Sequence, residues 1–245
     1  MFKLLLFIWP KAELTRREFS EYYERDHAPL GARLTGGATD YRRNYPQWDE
    51  RCKSNSEPFG VMTEVWHEER AQFEAQIAAR MSVPAKTILD NDEAKFMNRE
   101  RKCSVVVDER CVSFPDRSEL ATVNKLVRFA FADDDAPPNA LRQTHEARVQ
   151  NARRDLAPCV VHYACNYPRY DDPFTSSAEL FGSRVAVVEE VWVSEGDGQG
   201  DLVQAFPSTA SGRTFTVRVR ECRTPGGRLV APLASDLRGV DRLRE

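Results

Sequence analysis

Asn44-Tyr45-Pro46 recurs as Asn166-Tyr167-Pro168, and Lys3-Leu4 recurs as Lys125-Leu126 at the same offset of 122 residues. In that gapless frame Phe7 meets Phe129, Phe19 meets Leu141 and Leu34 meets Leu156. Glu64-Val65-Trp66 returns as Glu190-Val191-Trp192 at an offset of 126, and Val107–Cys111 faces Val219–Cys222. Short words repeated in one order predict an internal duplication, the feature that most changes how a chain is read. The expected divisions are a first repeat at 1–112, a polar linker at 113–122, a diverged second repeat at 123–222 and a tail at 223–245.

Each copy reads β-α-β-β-α-β. In the first, Phe2–Trp9 is an apolar strand, and Thr15-Arg16-Arg17-Glu18 has the spacing of a capping box that opens a helix running to about Leu34. Phe19, Tyr22, Tyr23, Leu30 and Leu34 form its inward stripe, and Gly36-Gly37 ends it. Strands are expected at Asp40–Tyr45, Gly60–His67 and Cys103–Val112, with a second helix at Glu68–Met81. An extra segment, Ser82–Lys102, adds at most a helical turn at Asp92–Met97. The second copy predicts elements at Lys125–Phe131, Asn139–Leu156, Val160–Tyr167, Arg184–Ser194, Gln199–Phe206 and Arg213–Cys222. A split βαβ unit puts both helices on one sheet face, so its bare face needs a cover. A second unit in the same chain supplies one, which predicts an intrachain pseudo-dimer packed sheet to sheet around a shared cavity.

Composition narrows the function classes. The 245 residues carry 35 Lys+Arg against 38 Asp+Glu, a formal charge of −3, with 41% hydrophobic and 30% charged residues. That is the balance of a folded globular chain and lacks the basic field a nucleic-acid binder needs. The longest apolar run, Leu4–Trp9, falls far short of the ~20 residues of a membrane span and of a signal-peptide core, so a cytoplasmic protein is expected. Six cysteines form no C-x-x-C pair and are read as buried free thiols. No Cys/His spacing demands a metal, and there is no P-loop, nucleophile elbow or dinucleotide glycine motif.

At the first helix the chain reads Phe19-x-x-Tyr22-Tyr23-x-x-x-His27-x-Pro29-Leu30, after a strand opening Lys3-Leu4. With the Glu64-Val65-Trp66 strand word, this resembles the EthD domain family of the dimeric α+β-barrel superfamily. The resemblance covers 1–111 well and reaches 123–222 through the repeat. It implies a ferredoxin-like split βαβ fold in each half, forming the α+β barrel, and a hydrophobic pocket that works without metal or organic cofactor. Characterised relatives include polyketide dehydratases and decarboxylases, and sister families bind haem, oxygenate or cyclise polyketides. The second copy departs from the motif, with Val149 opposite His27, His145 opposite Tyr23, and Asn151-Ala152 opposite Pro29-Leu30.

Two residues are the catalytic candidates. His27 can pass a proton either way near neutral pH, and its alternative is a histidine holding the loop at Pro29. Glu64 alternates with Met62 and Trp66 on one strand face, where burial penalises a charged carboxylate and so favours a general acid. Glu190 sits the same way beside Val188 and Trp192, and the alternative for both is solvent exposure or pairing with an arginine such as Arg42 or Arg128. Trp9, Tyr22, Tyr23, Tyr41, Asn44, Tyr45, Trp66, His145, Glu190 and Trp192 are candidate substrate-binding residues. Of these, Tyr22 and Tyr23 read more readily as helix core and His145 as a structural histidine, as do the lone histidines His67 and His162 outside the set. The expected function is a cofactor-independent acid–base lyase (dehydratase, cyclase or decarboxylase) acting on a hydrophobic, aromatic or polyketide-derived small molecule. A haem-binding or cofactor-free oxygenase and a non-catalytic carrier of hydrophobic metabolites are the alternatives. The expected partner is the small substrate, without nucleic acid or membrane, and further dimerisation stays open.

Overall fold

In the computed structural model, which describes residues 1–47, 59–113, 123–131, 142–143, 145–147, 160–176, 179–180, 183–194 and 214–225, the apolar run after Met1 is strand β1, Phe2–Ile8. The capping box forms as read. Thr15 Oγ1 accepts from the Glu18 amide at 3.2 Å, and the Thr15 amide donates to the Glu18 carboxylate at 2.8 Å, opening α1 (Arg16–Tyr22). The single helix expected here is interrupted: Tyr23–His27 is a π-helical segment, closed by the Ala28 amide donating to the Tyr23 carbonyl, before α2 (Ala28–Thr35) resumes. Gly36 and Gly37 then take φ of 51° and 81°, the left-handed turn that the glycine pair predicts.

The remaining elements are β2 (Asp40–Gln47), β3 (Val61–His67), α3 (Arg70–Met81), α4 (Val83–Phe96), a 3-10 turn at Arg99–Arg101, and strands β4 (Cys103–Ser113), β5 (Val123–Phe131), β6 (Val160–Pro168), β7 (Glu179–Leu180), β8 (Ser183–Ser194) and β9 (Thr214–Pro225). Helix α4 is a correction: 14 residues stand where the sequence promised one turn. In the second half, residues 142–143 and 145–147 are helical; the helix expected at Gln199–Phe206, the linker at 114–122 and the tail beyond 225 lie outside the described residues.

The chain divides into two compact units, Met1–Tyr45 with Phe59–Ser104 and Glu221–Glu245, and Pro46–Pro58 with Val105–Arg220. In the first, β3 pairs antiparallel with both β1 and β2, and all seven β3 residues are buried. Ile8 and Val61 pack with Phe19, Tyr23, Ala28 and Phe96 from the helices, which marks the helix-covered sheet face. In the second, β6 pairs β4 and β8, and β5 pairs β8 and β9, all antiparallel, over a core of Tyr163, Cys165, Val187 and Val191.

The expectation of two ferredoxin-like split βαβ repeats packed sheet to sheet as a pseudo-dimeric α+β barrel is overturned by the strand pairing. The strands form one antiparallel ladder in the order β5-β9-β2-β3-β1-β4-β6-β8-β7, and β5 also pairs β8, so the eight long strands form a closed ring of pairings. The physical reason lies in edges rather than faces. Stacked sheets leave unpaired N–H and C=O rows at every margin, whereas β4 and β9, 11 and 12 residues long, carry the ladder onward so that none of the eight long strands is left as an edge. Of the cysteines, Cys103, Cys111, Cys165 and Cys222 are free thiols; Cys103 and Cys165 are buried, while Cys111 is exposed. Among the described residues no helix is long and apolar enough to cross a membrane.

Candidate active site

The π-helical segment sets the site. A π turn widens one helical loop and re-aims the residues beyond it, and such segments concentrate at functional positions. Here it buries both Tyr23 and His27. His27 Nδ1 lies 2.7 Å from Asp92 Oδ2 on α4, and the Tyr22 hydroxyl donates to Asp92 Oδ1 at 2.6 Å. The imidazole stands 4.6 Å from the Phe96 ring and 4.7 Å, edge-on, from Tyr23, so its walls are aromatic. Burial pushes the Asp92 carboxyl up, but the His27 and Tyr22 hydrogen bonds outweigh it and hold the group below its ordinary range. Asp92 is therefore a carboxylate near neutral pH. Burial, with the bond to that carboxylate second, pushes Tyr22 well above the usual phenol value, so it stays a protonated donor.

Asp92 is the partner that sequence reasoning missed. It assigned that role to Glu64, which faces the opposite side of the sheet. Thr63 points to the helices, where its hydroxyl meets the Tyr23 hydroxyl at 3.3 Å, and alternation along β3 turns Glu64 away. His27 and Glu64 therefore do not share a site. Tyr41 joins the helix side, its hydroxyl 3.1 Å from that of Tyr23. Tyr45 does so by donating to Glu24 at 2.7 Å, and the same carboxylate takes both prongs of the Arg43 guanidinium, at 3.0 and 2.7 Å. Trp9 sits near the end of β1 beneath the Arg101 guanidinium. His67 is buried against Phe2 and Phe73, and burial lowers its pKa; it behaves as core.

On the other face of the first unit, Glu64 is completely buried and ion-paired to Lys3 at 2.7 Å. Asn44 donates to its second oxygen at 2.7 Å, and Lys3 lies 4.3 Å above the Trp66 ring. The close ion pair is thus made by a lysine, while Arg42, opposite Glu64 on β2, stacks on Trp66 and pairs with Asp40. The second unit holds the same four side chains. Lys125 pairs with Glu190 at 2.5 Å, Asn166 donates to Glu190 at 2.7 Å, and Lys125 lies 4.4 Å from the Trp192 ring. The three repeated words of the sequence, Lys-Leu, Asn-Tyr-Pro and Glu-Val-Trp, converge on this quartet in each unit.

His145 belongs to a second buried network. Its Nδ1 lies 3.1 Å from the Tyr167 hydroxyl and its Nε2 3.3 Å from Glu189, which also binds Arg128 and Tyr163. Burial opposes ionisation of Glu189, but His145 and Arg128 prevail and bring it down to about 2. Glu189 escapes the sequence reading in favour of its neighbour, because adjacent strand residues point to opposite faces and the repeat singles out only Glu190.

The sequence profile of the EthD domain family matches residues 11–100. Among solved structures, an anthrone oxidase-like protein is similar over 95% of this chain and 95% of its own, with a TM-score of 0.54 and 10% identity. A protein designated a monooxygenase from Lactobacillus acidophilus NCFM is similar over 92% of this chain and 96% of its own, with a TM-score of 0.45 and 8% identity. No curated protein matches the chain. Both partners in the His27–Asp92 contact fall inside the segment, residues 11–100, that matches the EthD domain family.

Proposed function

We propose that this protein is a cofactor-independent acid–base enzyme that removes a proton beside a carbonyl in a hydrophobic, aromatic or polyketide-type small molecule, with His27 as the base. The contact that carries the reading is His27 Nδ1 to Asp92 Oδ2 at 2.7 Å. An ionised carboxylate on Nδ1 fixes the tautomer with the proton on Nδ1 and the lone pair on Nε2. In a dehydration, Nε2 takes the proton from the carbon beside the carbonyl and an enolate forms. The enolate expels a β-hydroxyl group, which leaves as water after taking that proton back from the imidazolium. The aromatic walls of Tyr23 and Phe96 suit an apolar substrate and strengthen charge interactions by excluding water.

Likeness to an anthrone oxidase-like protein favours a second reading, in which the same carbanion is handed to dioxygen. Turnover of an aromatic β-hydroxyketone and of anthrone, each with and without oxygen, separates the two. Oxygen-independent loss of water supports the lyase, and oxygen consumption with anthrone supports the oxidase. In either case we expect H27A to lower kcat by about 10²–10⁴-fold while the fold survives. Full turnover by a folded H27A protein removes His27 from both.

A further inference from the structure

Helix α4 serves two places. Asp92 and Phe96 face His27, while Lys86, Leu89, Asp90 and Glu93 line a separate cleft of about 250 Å³ in the first unit, with α3 and the 3-10 turn completing its walls. Four cations surround it against two carboxylates. Arg80 pairs with Glu93, and Lys86 and Arg99 share Asp90. Lys102, the fourth cation, has no carboxylate within ion-pair distance among the described residues. Its ammonium, although the residue as a whole is exposed, is held below the ordinary lysine range, first by burial within the cleft and then by Arg80. The floor is apolar, with Leu89 and Met97 buried, and Met81 forms a rim that is 57% exposed.

We propose that this cleft binds an amphiphilic monocarboxylate, its headgroup on Lys102 and Arg99 and its hydrocarbon body on Leu89, Met97 and Met81. Arg99 has donors to spare, since a guanidinium offers five N–H groups and Asp90 engages only part of them. At roughly 30 Å³ per water-sized group, the cleft holds about eight such groups, the size of an eight-carbon chain. An inorganic oxyanion would answer the positive surplus but leave the apolar floor uncovered.

Calorimetric titration of the full chain with octanoate, octanol and inorganic phosphate tests this. We expect octanoate to saturate one site per chain, with octanol and phosphate each at least about tenfold weaker, the worth of one charge-assisted contact. K102Q should weaken octanoate by about tenfold, and M81S by a few-fold, both at exposed positions that leave the unfolding transition in place. Equal binding of octanol makes the cleft a mere apolar slot, and equal or tighter phosphate makes it an inorganic anion site. Unchanged octanoate binding by K102Q also overturns the proposal. None of these variants touches His27 or Asp92, so failure here leaves the acid–base reading standing.

Discussion

Replacing Lys3 with methionine removes the cation from a carboxylate that has no exposure to solvent. Lys3 and Glu64 are 2.7 Å apart, with side chains 2% and 0% exposed, so K3M removes the paired cation from a buried negative charge that Asn44 also binds. Breaking one side of a buried pair costs about 3–5 kcal/mol, and methionine keeps the unbranched volume, so little of the loss is a cavity. Lost attraction between the ammonium and the Trp66 ring, 4.3 Å away, adds to the same side. At about 2–4 °C per kcal/mol for a chain of this size, the melting midpoint should fall by roughly 6–20 °C. The K3M/E64Q double variant should recover most of it, because a neutral glutamine keeps the acceptor for Asn44 while removing the charge. Urea unfolding of parent, K3M, E64Q and the double variant closes the cycle, with an expected coupling of at least about 2 kcal/mol. A K3M protein within about 1 kcal/mol of its parent, or a double variant no better than K3M, would show that this carboxylate does not depend on Lys3.

Two further outcomes are expected. Glu189 ionises in the folded protein at about 2 against an ordinary 4.5, so its stabilising contribution is complete above pH 4.5 and disappears as pH falls towards 2; that shift is worth about 3 kcal/mol, and the stability gap between parent and E189Q, measured by denaturation from pH 6 to 2, should narrow by that order. At Gly60 an added Cβ would stand 2.8 Å from Pro10 Cδ and 2.9 Å from the buried Phe19 ring, so G60A should lose about 1–3 kcal/mol, and an unchanged melting point would refute the close packing there.

The sequence made local rules legible and left pairwise geometry hidden. The Thr15–Glu18 box and the glycine pair at 36–37 depend on residues a few places apart, and both form as read. Helix α4 escaped because its buried positions, Ala85, Leu89, Asp92, Glu93 and Phe96, include two carboxylates, Asp92 beside His27 and Glu93 paired with Arg80. Glu64 does lie between apolar neighbours on a buried strand, yet its lysine depends on the register that sets Lys3 opposite Trp66 and Leu5 opposite Glu64, which periodicity alone does not fix. The sheet-to-sheet expectation weighed the bare face of each unit and gave no weight to strand margins, and the margins determine the ladder.

The widened turn at Tyr23–His27 makes the histidine's aim a matter of arithmetic along the chain. One residue more or fewer in an α-helix rotates everything downstream by about 100°. A one-codon deletion within 23–27 that restores regular α1 geometry would swing the imidazole off Asp92 while leaving every side chain of the pair in the protein. Relatives that keep both residues yet differ by one position in this turn would then hold the same two side chains without their contact, so under the proposed acid–base reading the length of the segment matters as much as the identity of its last residue.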